Sequence, residues 1–367
     1  MYIGVAETEE EKRAVYRLRY DVYVEEMGRY RSVADHAHRM FYEDCDEHSR
    51  IAYAAVDGEV VATSRLTWGG VAPFPQRMVD QYGLAPFLAE LPASAMAVGE
   101  RAMVRPHLRG SDVLLQLLIF GIPWINERRI QLIFGDCEPH LLNLYLGLGP
   151  RTYSKTNINT AEAGYLIPLV SVVEDVAYIR RLNSPLAEHA RDFGDDARIP
   201  ECIRRVLAER GAVLSRLHTT PAAYWSEVHG ALSELDANRI SALDGFDEQE
   251  AELCLEKSSI IECRAGDRVL KKGGVARNLF VVLDGTLEVR QGDAVQAIFT
   301  AGDVFGEMAF LLERPRSADV YAATDGARIL SLSEAKLRAM IKSDPAIAAR
   351  LLLNISKMLC LRILKDG

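Results

Sequence analysis

The 367-residue sequence lacks several features that would point at once to a class of protein. Its six cysteines include no CxxC pair, which argues against a zinc site or a disulfide framework and favours reduced thiols. No uncharged apolar run approaches the roughly 18 residues that span a bilayer, and the acidic N-terminus has no apolar segment typical of a secretion signal. The net charge of −9 excludes strong attraction to nucleic acid. We therefore expect a cytoplasmic protein without a metal, a membrane span or a DNA partner.

Hydrophobic residues make up 49% of the chain, enough for well-packed cores, and their pattern changes along it. The first part mixes helices and strands, with a capped helix over 8–28 and a hairpin turn at Asp57-Gly58. Residues 172–235 read as mostly helical, and later residues form short strands between glycine turns. The sequence predicts the α+β class, with a mixed α/β domain, a helical connector and a C-terminal β-roll, over residues 1–171, 172–238 and 239–367.

Residues 305–317 combine groups that suit a cyclic nucleotide, which carries one phosphodiester charge and a ribose hydroxyl. A helix beginning after Gly306 would direct backbone N–H groups towards the phosphate. Glu307 can accept a hydrogen bond from the ribose hydroxyl, and Arg316, nine residues later, adds forked cationic donors. The segment resembles the phosphate-binding cassette of the cyclic-nucleotide-binding family. The resemblance implies that Glu307 binds the ribose, that Arg316 binds the phosphate, and that the pocket also includes Phe305, Gly306, Met308, Ala309 and Ser317.

The same resemblance extends from residue 240 to the end of the sequence and bears on the effector. Ser317 occurs at this place in bacterial cyclic-AMP receptors, which favours cyclic AMP over cyclic GMP. The family often recognises the base from its last helix, where Asn354 and Ser356 are the polar candidates. An ordinary exposed helix face explains these two residues equally well.

Residues 104–113 lie between a predicted strand and a predicted helix, where backbone N–H groups can hold phosphates or amides. Arg109 and Gly110 resemble the pyrophosphate loop of GNAT-fold N-acetyltransferases. Asp112 replaces a glycine of that loop, and its carboxylate would repel a pyrophosphate, which leaves room for an acyl carrier protein as donor beside acyl-CoA. The resemblance implies a donor site formed by Met103, Val104, Arg109, Gly110, Ser111 and Asn143.

Three earlier segments narrow this resemblance. An aromatic helix over 13–23, an acidic stretch over 41–46 and a strand over 58–66 follow in that order. The order resembles acyl-homoserine lactone synthases and long-chain N-acyl amino acid synthases, which take acyl groups from acyl carrier proteins. By this resemblance, Asp44, Asp46 and Arg65 organise the acceptor side of the site.

Acyl transfer to an amine needs a base for the ammonium proton, a donor for the thioester oxygen and an acid for the leaving thiolate. Glu100 is our candidate base, and its neighbour Arg101 is also a candidate catalytic residue. A structural carboxylate paired with Arg101 is equally compatible. A backbone N–H near residues 102–104 can donate a hydrogen bond to the thioester oxygen. The resemblance assigns Tyr145 as the acid, and a buried structural tyrosine is the alternative.

These observations predict an acyltransferase under allosteric control by a cyclic nucleotide, acting on a small amino-acid-like amine. Three alternatives stay open. The acceptor can be a protein lysine, as in bacterial cyclic-AMP-dependent protein acetyltransferases. The chain can be a non-catalytic sensor of nucleotide and acyl ligand, or a scaffold that binds lipid or carrier protein. A homodimer is also left open.

Overall fold

The computed structural model describes residues 1–209, 211–233, 241–274, 276–292, 294–312 and 314–366. The chain divides into two compact units. The first contains residues 1–137, 145–154 and 167–209, and the second contains 138–144, 155–166 and the described residues from 211 onwards. The residues that we assigned to a connector are therefore shared between the units. Our boundary between residues 238 and 239 lies outside the described residues.

The elements up to residue 209 mix strands and helices, as the sequence predicts. The strands are β1 (Tyr2–Val5), β2 (Ser49–Val56), β3 (Glu59–Trp68), β4 (Met96–Val104), β5 (Leu132–Cys137), β6 (Arg151–Thr152), β7 (Ile158–Thr160) and β8 (Gly164–Val172). The helices are α1 (Glu9–Arg19), α2 (Gln76–Gln81), α3 (Ala85–Leu88), α4 (Val113–Glu127), α5 (Leu142–Leu148), α6 (Val176–Arg181) and α7 (Glu201–Ala208).

Among the described residues, these strands form one mixed sheet in the order β1-β2-β3-β4-β5-β8-β6, with β7 paired to β8. The first four are antiparallel neighbours, whereas β4 and β5 are parallel. The predicted hairpin is confirmed, because Asp57 and Gly58 both have positive φ, at 50° and 84°. We missed β1, β6 and β7, which are too short to show a clear alternating pattern.

Both faces of this sheet are covered by helices. On β2, Ile51 and Tyr53 pack with Val15 of α1, while Ala52 packs with Val113 of α4. Successive strand residues point to opposite faces, so a strand covered on both sides is apolar at every position. The near-continuous apolar pattern of β2 follows from this arrangement.

The first helix has the predicted start and ends just before the predicted stop at Gly28, whose φ is 64°, but its type changes along its length. The Thr8 side chain accepts from the backbone of Glu11, whose carboxylate in turn accepts from the backbone of Thr8, which confirms the capping box. After Arg19 the helix continues as a π-helix over Tyr20–Glu26. This wider turn brings Tyr23 and Glu26 towards β4 and the following loop, where both make contacts described below.

The elements from residue 211 onwards all belong to the second unit. The strands are β9 (Val213–Ser215), β10 (Ser258–Cys263), β11 (Arg268–Leu270), β12 (Leu279–Asp284), β13 (Thr286–Gln291), β14 (Ala294–Thr300), β15 (Val304–Phe305), β16 (Asp319–Ala322) and β17 (Ala327–Leu332). The helices are α8 (Pro221–Ser233), α9 (Glu248–Leu255), α10 (Glu307–Leu312), α11 (Glu334–Ser343) and α12 (Pro345–Asp366).

The described strands of this unit form two antiparallel sheets, in the orders β15-β12-β17-β10-β9 and β11-β16-β13-β14. Helices α8, α9, α11 and α12 bury their apolar faces against the first sheet, through residues such as Tyr224, Leu255, Leu337 and Leu351. The predicted α+β class and β-roll are confirmed. The prediction that residues 172–235 are mostly helical is wrong in one place, because β9 extends the sheet by pairing with β10.

Candidate functional site

The sheet of the first unit opens between two parallel strands. β4 and β5 pair only as far as Gly99 and Gly135, although each strand continues further. A Cβ atom at position 135 would lie 2.9 Å from the carbonyl oxygen of Gly99, so this close approach requires glycine. The next residues, Glu100 on β4 and Asp136 on β5, therefore stand at the opening, one on each strand. An opening of this kind leaves backbone groups for an extended ligand.

A β-bulge shapes the β4 side of the opening. Ser64 of β3 stands opposite two residues of β4, Arg101 and Ala102. Arg101 has a φ of 58°, which a residue with a side chain adopts at an energetic cost. Because the bulge interrupts the alternation of faces, the consecutive side chains of Glu100 and Arg101 both reach one charged cluster.

Arg65 lies at the centre of that cluster. Its fully buried guanidinium donates to Glu43 at 2.8 Å, to Asp46 at 3.1 Å and to Glu100 at 2.5 Å. Asp46 also accepts from the buried Arg19 at 2.8 Å. The pairing of each buried carboxylate with a guanidinium offsets the cost of removing these charges from water.

Arg101 is held in the wall of the cluster. Its guanidinium donates to both carboxylate oxygens of Glu43, at 2.8 and 2.7 Å, and to the Tyr30 hydroxyl at 2.8 Å. The rings of Tyr23, Tyr30 and Phe41 lie 5.4, 4.9 and 5.5 Å from its central carbon. Bidentate pairing and aromatic stacking fix this guanidinium in one orientation.

The arginines keep two of the carboxylates ionised. Burial by itself would raise the pKa of Glu43, but the hydrogen bond and charge of Arg101, together with Arg65 and Arg77, lower that pKa to about 2. Burial also opposes ionisation of Glu100, and the charges of Arg65, Arg101 and Arg77 again outweigh it and lower the pKa. Arg77, on α2, is the half-exposed cation of the group.

Asp136 has different surroundings. The Tyr82 hydroxyl lies 2.7 Å from the Asp136 carboxylate and 3.1 Å from that of Glu100, and the Gln81 amide donates to Asp136 at 3.1 Å. Burial, reinforced by the Glu100 charge and opposed by the Tyr82 hydrogen bond, raises the pKa of Asp136 to about 6. The two carboxylates at the opening therefore differ in their affinity for a proton.

The sequence anticipated part of this cluster. The structure brings together four of the predicted residues, Asp46, Arg65, Glu100 and Arg101. It leaves Asp44 exposed and puts Glu43 in the cluster instead. Glu43 and Asp46 are three residues apart at the start of a 3-10 helix (Asp44–His48), where each side chain bonds the backbone of the other. That spacing was the available signal for Glu43, whereas only the strand pairing brings in Asp136.

The predicted donor loop forms a turn before α4. Arg109 donates to both oxygens of Glu26, at 2.6 and 2.7 Å, so its charge is paired within the chain. Gly110 has a φ of 85°, and the Ser111 hydroxyl donates to a carbonyl of the same turn at 2.7 Å. Asp112 makes no side-chain bond to the helix that it precedes. The remaining predicted residues of this segment, Met103 and Val104, end β4.

Two predicted residues of α5 belong to different units. Asn143 lies in the second unit, where it donates to the carbonyl of Lys257 at 2.9 Å and accepts from the Ser259 hydroxyl at 3.4 Å. Tyr145 lies in the first unit. Burial raises the pKa of Tyr145, and the charge of Asp136 acts in the same direction. A raised pKa keeps the proton on Tyr145 at neutral pH but makes it a weaker acid towards a thiolate.

The second unit contains a buried arginine with no anionic partner among the described residues. Arg316 is 5% exposed, and its guanidinium donates to the carbonyls of Gly306 and Asn278, each at 2.8 Å. Its Nε has no partner, and no carboxylate of the described residues forms an ion pair with it. Burial lowers its pKa to about 10, against smaller opposing effects of Glu307 and Glu334. An uncompensated buried cation is costly, and an anionic ligand would compensate it.

The backbone positions this arginine. Gly306 has a φ of 80°, and a Cβ atom there would lie 2.5 Å from the Arg316 Nη1. The Arg316 N–H donates to the Gly274 carbonyl, and the Arg316 carbonyl accepts from the Gly273 N–H, both at 2.8 Å. The predicted cassette residues are thus assembled around one guanidinium.

Glu307, the predicted ribose contact, is ion-paired. Its carboxylate lies 3.4 Å from Arg362 of α12, a residue that the sequence analysis missed. Arg362 also donates to the carbonyl of Val304 and lies 4.7 Å from the centre of the Phe299 ring. This pair connects the end of the chain's last helix to the first residue of α10.

The other predicted nucleotide contacts are placed as follows. Phe305 and Ala309 are buried, and the Ser317 hydroxyl lies 3.6 Å from the exposed Met308 sulfur. Asn354 is buried, and its amide donates to the carbonyls of residues 242 and 244, at 3.2 and 2.9 Å. The Ser356 hydroxyl donates within its own helix. Asn354 therefore ties α12 to the start of the unit.

The described part of the chain contains neither a candidate metal site nor a candidate membrane-spanning helix. No group of three histidine, cysteine, aspartate or glutamate residues there could hold a metal ion. No described helix is both long and apolar enough to cross a membrane.

Comparisons with known proteins match both halves of the chain. A family model described as the acetyltransferase (GNAT) domain matches residues 18–119, and one described as the cyclic nucleotide-binding domain matches residues 260–344. Curated relatives include Glutaminase 2 of Bradyrhizobium diazoefficiens, 32% identical over 133 residues, which are 36% of this chain and 19% of that protein. Another is the cAMP-dependent protein kinase regulatory subunit of Schizosaccharomyces pombe, 33% identical over 86 residues, 23% of this chain and 20% of that protein.

The chain thus spans about a fifth of the length of these curated relatives. Among solved structures, a cyclic nucleotide-binding domain from Methylobacillus flagellatus is 18% identical and covers 42% of this chain and 85% of that one, with a TM-score of 0.35. The predicted resemblances to both families are confirmed by the family matches. The chain carries a GNAT acetyltransferase domain followed by a cyclic nucleotide-binding domain.

Proposed function

We propose that this protein is an N-acyltransferase whose activity is regulated by a cyclic nucleotide. The donor is an acyl carrier protein or acyl-CoA thioester, and the acceptor is the amino group of a small amino-acid-like molecule. The observation that carries the proposal is the opening between β4 and β5, which has a carboxylate on each strand and a strained bulge on one of them. The match to the acetyltransferase domain supports the same chemistry.

The cluster suits an acceptor that carries both charges. The ionised Glu100 attracts an ammonium group, and the half-exposed Arg77 offers its guanidinium to a carboxylate. Nucleophilic attack by the neutral amine moves negative charge to the thioester oxygen, for which the unpaired edge of β4 near residues 102–104 supplies N–H groups. Tyr145 gives its proton to the leaving thiolate.

The effector in this proposal is cyclic AMP, bound with its phosphate at Arg316 and its ribose at Glu307. The unpaired, buried guanidinium supports a phosphodiester ligand, because a single negative charge compensates it. The ribose hydroxyl would share the Glu307 carboxylate with Arg362, so binding acts on the end of α12.

Contacts within the second unit suggest how binding affects catalysis. Gly273 and Gly274 bond the Arg316 backbone, and two residues earlier Lys271 donates to the carbonyl of Glu162 at 2.9 Å. Glu162 precedes β8, which begins in the second unit and continues in the first as the partner of β5. A movement of Arg316 would thus reach the strand that carries Asp136.

The proposal is tested by thiol release from acetyl-CoA, a long-chain acyl-CoA and an acylated carrier protein, each with a panel of free amino acids, with and without cyclic AMP. We expect turnover with an amino acid acceptor and a nucleotide effect of roughly fivefold or more. Arg316→Gln should abolish the nucleotide effect, and the exposed neighbour change Arg314→Gln should preserve it. Equal rates with and without nucleotide contradict the regulation.

Two further results separate the alternatives. Acyl groups found by mass spectrometry on protein lysines, and on no free amino acid, would favour a protein acetyltransferase. No thiol release from any donor would favour a sensor or scaffold.

The coupling between nucleotide binding and catalysis has its own test. Lys271→Met should weaken the nucleotide effect, whereas Lys272→Met, at the exposed neighbouring side chain, should not.

A further inference from the structure

The two carboxylates at the opening of the sheet have unequal partners. Glu100 accepts from Arg65 at 2.5 Å and from Arg77 at 3.3 Å, whereas Asp136 accepts from the neutral groups of Tyr82 and Gln81. Two acidic groups in such different surroundings separate into one that stays ionised and one that exchanges a proton near neutral pH.

The hydrogen bonds of Tyr82 also indicate that Glu100 is ionised and that Asp136 can carry a proton. Its hydroxyl has one proton and lies within hydrogen-bond distance of both carboxylates, at 2.7 Å from Asp136 and 3.1 Å from Glu100. Both short contacts are satisfied at once only if a second proton is present. That proton belongs on Asp136, since the arginines hold Glu100 in its ionised form. In this protonated form Asp136 donates to the Tyr82 oxygen and Tyr82 donates to Glu100. In the ionised form, which a base requires, Asp136 accepts from Tyr82 at 2.7 Å.

We propose that Asp136 is the general base that deprotonates the acceptor amine, while Glu100 holds the ammonium and Tyr82 connects the two carboxylates. This inference rests on the proposed acyl transfer and replaces Glu100, the base suggested by the sequence, in that one role. The pKa of Asp136 is raised and that of Glu100 is lowered, so Asp136 is the stronger base of the two towards an ammonium group.

The proton and electron balance is complete without another reagent. The ammonium gives one proton to the Asp136 carboxylate, and the neutral nitrogen forms a bond to the thioester carbon. The carbonyl π electrons move to oxygen and return as the carbon–sulfur bond breaks, with that electron pair leaving on sulfur. The nitrogen loses its second proton to solvent as the amide forms, and the thiolate takes a proton from Tyr145. The proton held by Asp136 then returns to Tyr145 through solvent, which restores both groups. The sum is amide, thiol and one released proton.

Several groups on the neighbouring elements shift the pKa of Asp136. The Glu100 charge raises its pKa, while the Tyr82 and Gln81 hydrogen bonds and the Arg101 charge lower it. The Asp136 charge in turn raises the pKa of Tyr145 and the pKa of Tyr153, two other titratable groups near it. Removing the Glu100 charge should therefore shift the titration of Asp136 to lower pH, and removing the Tyr82 hydroxyl should shift it to higher pH.

The test combines infrared titration of the full chain without substrate and the pH dependence of kcat/KM. We expect the wild-type protein to show a protonated-carboxyl band that disappears with a midpoint near pH 6, and a rate that rises over the same range. Asp136→Asn should remove the band and lower kcat/KM by about 100-fold or more. Glu100→Gln and Tyr82→Phe should move the midpoint in opposite directions.

The outcomes distinguish this inference from the proposed function. An active wild-type protein whose Asp136→Asn variant keeps its rate and its acid limb refutes the base assignment alone. A band that survives in Asp136→Asn refutes it as well, without any substrate. A folded wild-type protein that releases no thiol from any donor refutes acyl transfer, and the base assignment with it. Far-ultraviolet circular dichroism and cyclic AMP binding check that each variant is folded.

Discussion

Arg65 and Arg316 are both buried arginines, one in each unit, but among the described residues only Arg65 has anionic partners. Arg65 donates to three carboxylates, whose charges outweigh the effect of burial and raise its pKa. Arg316 donates to two carbonyls, and burial lowers its pKa to about 10. The comparison teaches that burial alone does not identify a binding residue. A guanidinium bonded to carboxylates positions its neighbours, whereas one bonded only to carbonyls is suited to an anionic ligand.

The largest expected difference is in stability. Arg65→Gln leaves Glu43, Asp46 and Glu100 without their shared cation and should lower the free energy of unfolding by roughly 3–5 kcal/mol. Arg316→Gln removes a cation that has no anion and keeps an amide donor for the two carbonyls, so it should cost less than about 1 kcal/mol. Denaturant unfolding of the two variants measures both changes. Equal losses would show that the two arginines have equivalent surroundings.

A second prediction concerns pH. Glu43 has its pKa lowered from 4.5 to about 2, so its ionisation stabilises the folded state above pH 4.5, and this contribution is lost as the pH falls towards 2. Glu43→Gln should therefore be less stable than wild type at pH 7, by about 3 kcal/mol at most, with the difference shrinking at acid pH. The control is Asp44→Asn at the exposed neighbour. A difference for Glu43→Gln that does not change with pH would mean that its ion pairs contribute little.

The smallest effect should come from the backbone beside Arg316. Gly306→Ala introduces a methyl group 2.5 Å from the Arg316 Nη1, so we expect cyclic AMP affinity to fall about tenfold. Gly266→Ala is the matched control, because Gly266 has a similar φ of 87° with open space at its Cβ. Gly266→Ala should cost about 1 kcal/mol of stability through the backbone, and Gly306→Ala should cost more, because its Cβ would also lie 2.9 Å from the Asn278 carbonyl oxygen. Equal affinities in the two variants would separate Gly306 from the nucleotide site.

Sequence reasoning reached much of this description wherever the signal was local. The capping box at Thr8, the Asp57-Gly58 turn and the spacing between Glu307 and Arg316 depend on residues close together in the chain. Long-range partners had no such signal. Asp136 faces Glu100 only because two parallel strands separate after a glycine pair, and Arg362 reaches Glu307 from 55 residues away.

Some sequence-based assignments described the residue type correctly and its surroundings incompletely. Arg109 was expected to face a donor, and in the structure Glu26 from the π-helix holds it in a bidentate pair. The shift from an α-helix to a π-helix at Tyr20 is not encoded by apolar periodicity, because it changes the turn by a single residue. Asn354 matched a polar position on the last helix, but its amide is used for a tie within the fold.

The central claim, that the unpaired Arg316 is the site of a cyclic phosphate, is tested most directly by calorimetric titration of the full chain with cyclic AMP. The account predicts saturable binding to the wild-type protein and to Arg314→Gln, with a loss of 100-fold or more in Arg316→Gln, equivalent to about 2.7 kcal/mol. Binding of equal strength in Arg316→Gln, or no binding by the wild-type protein, would contradict it.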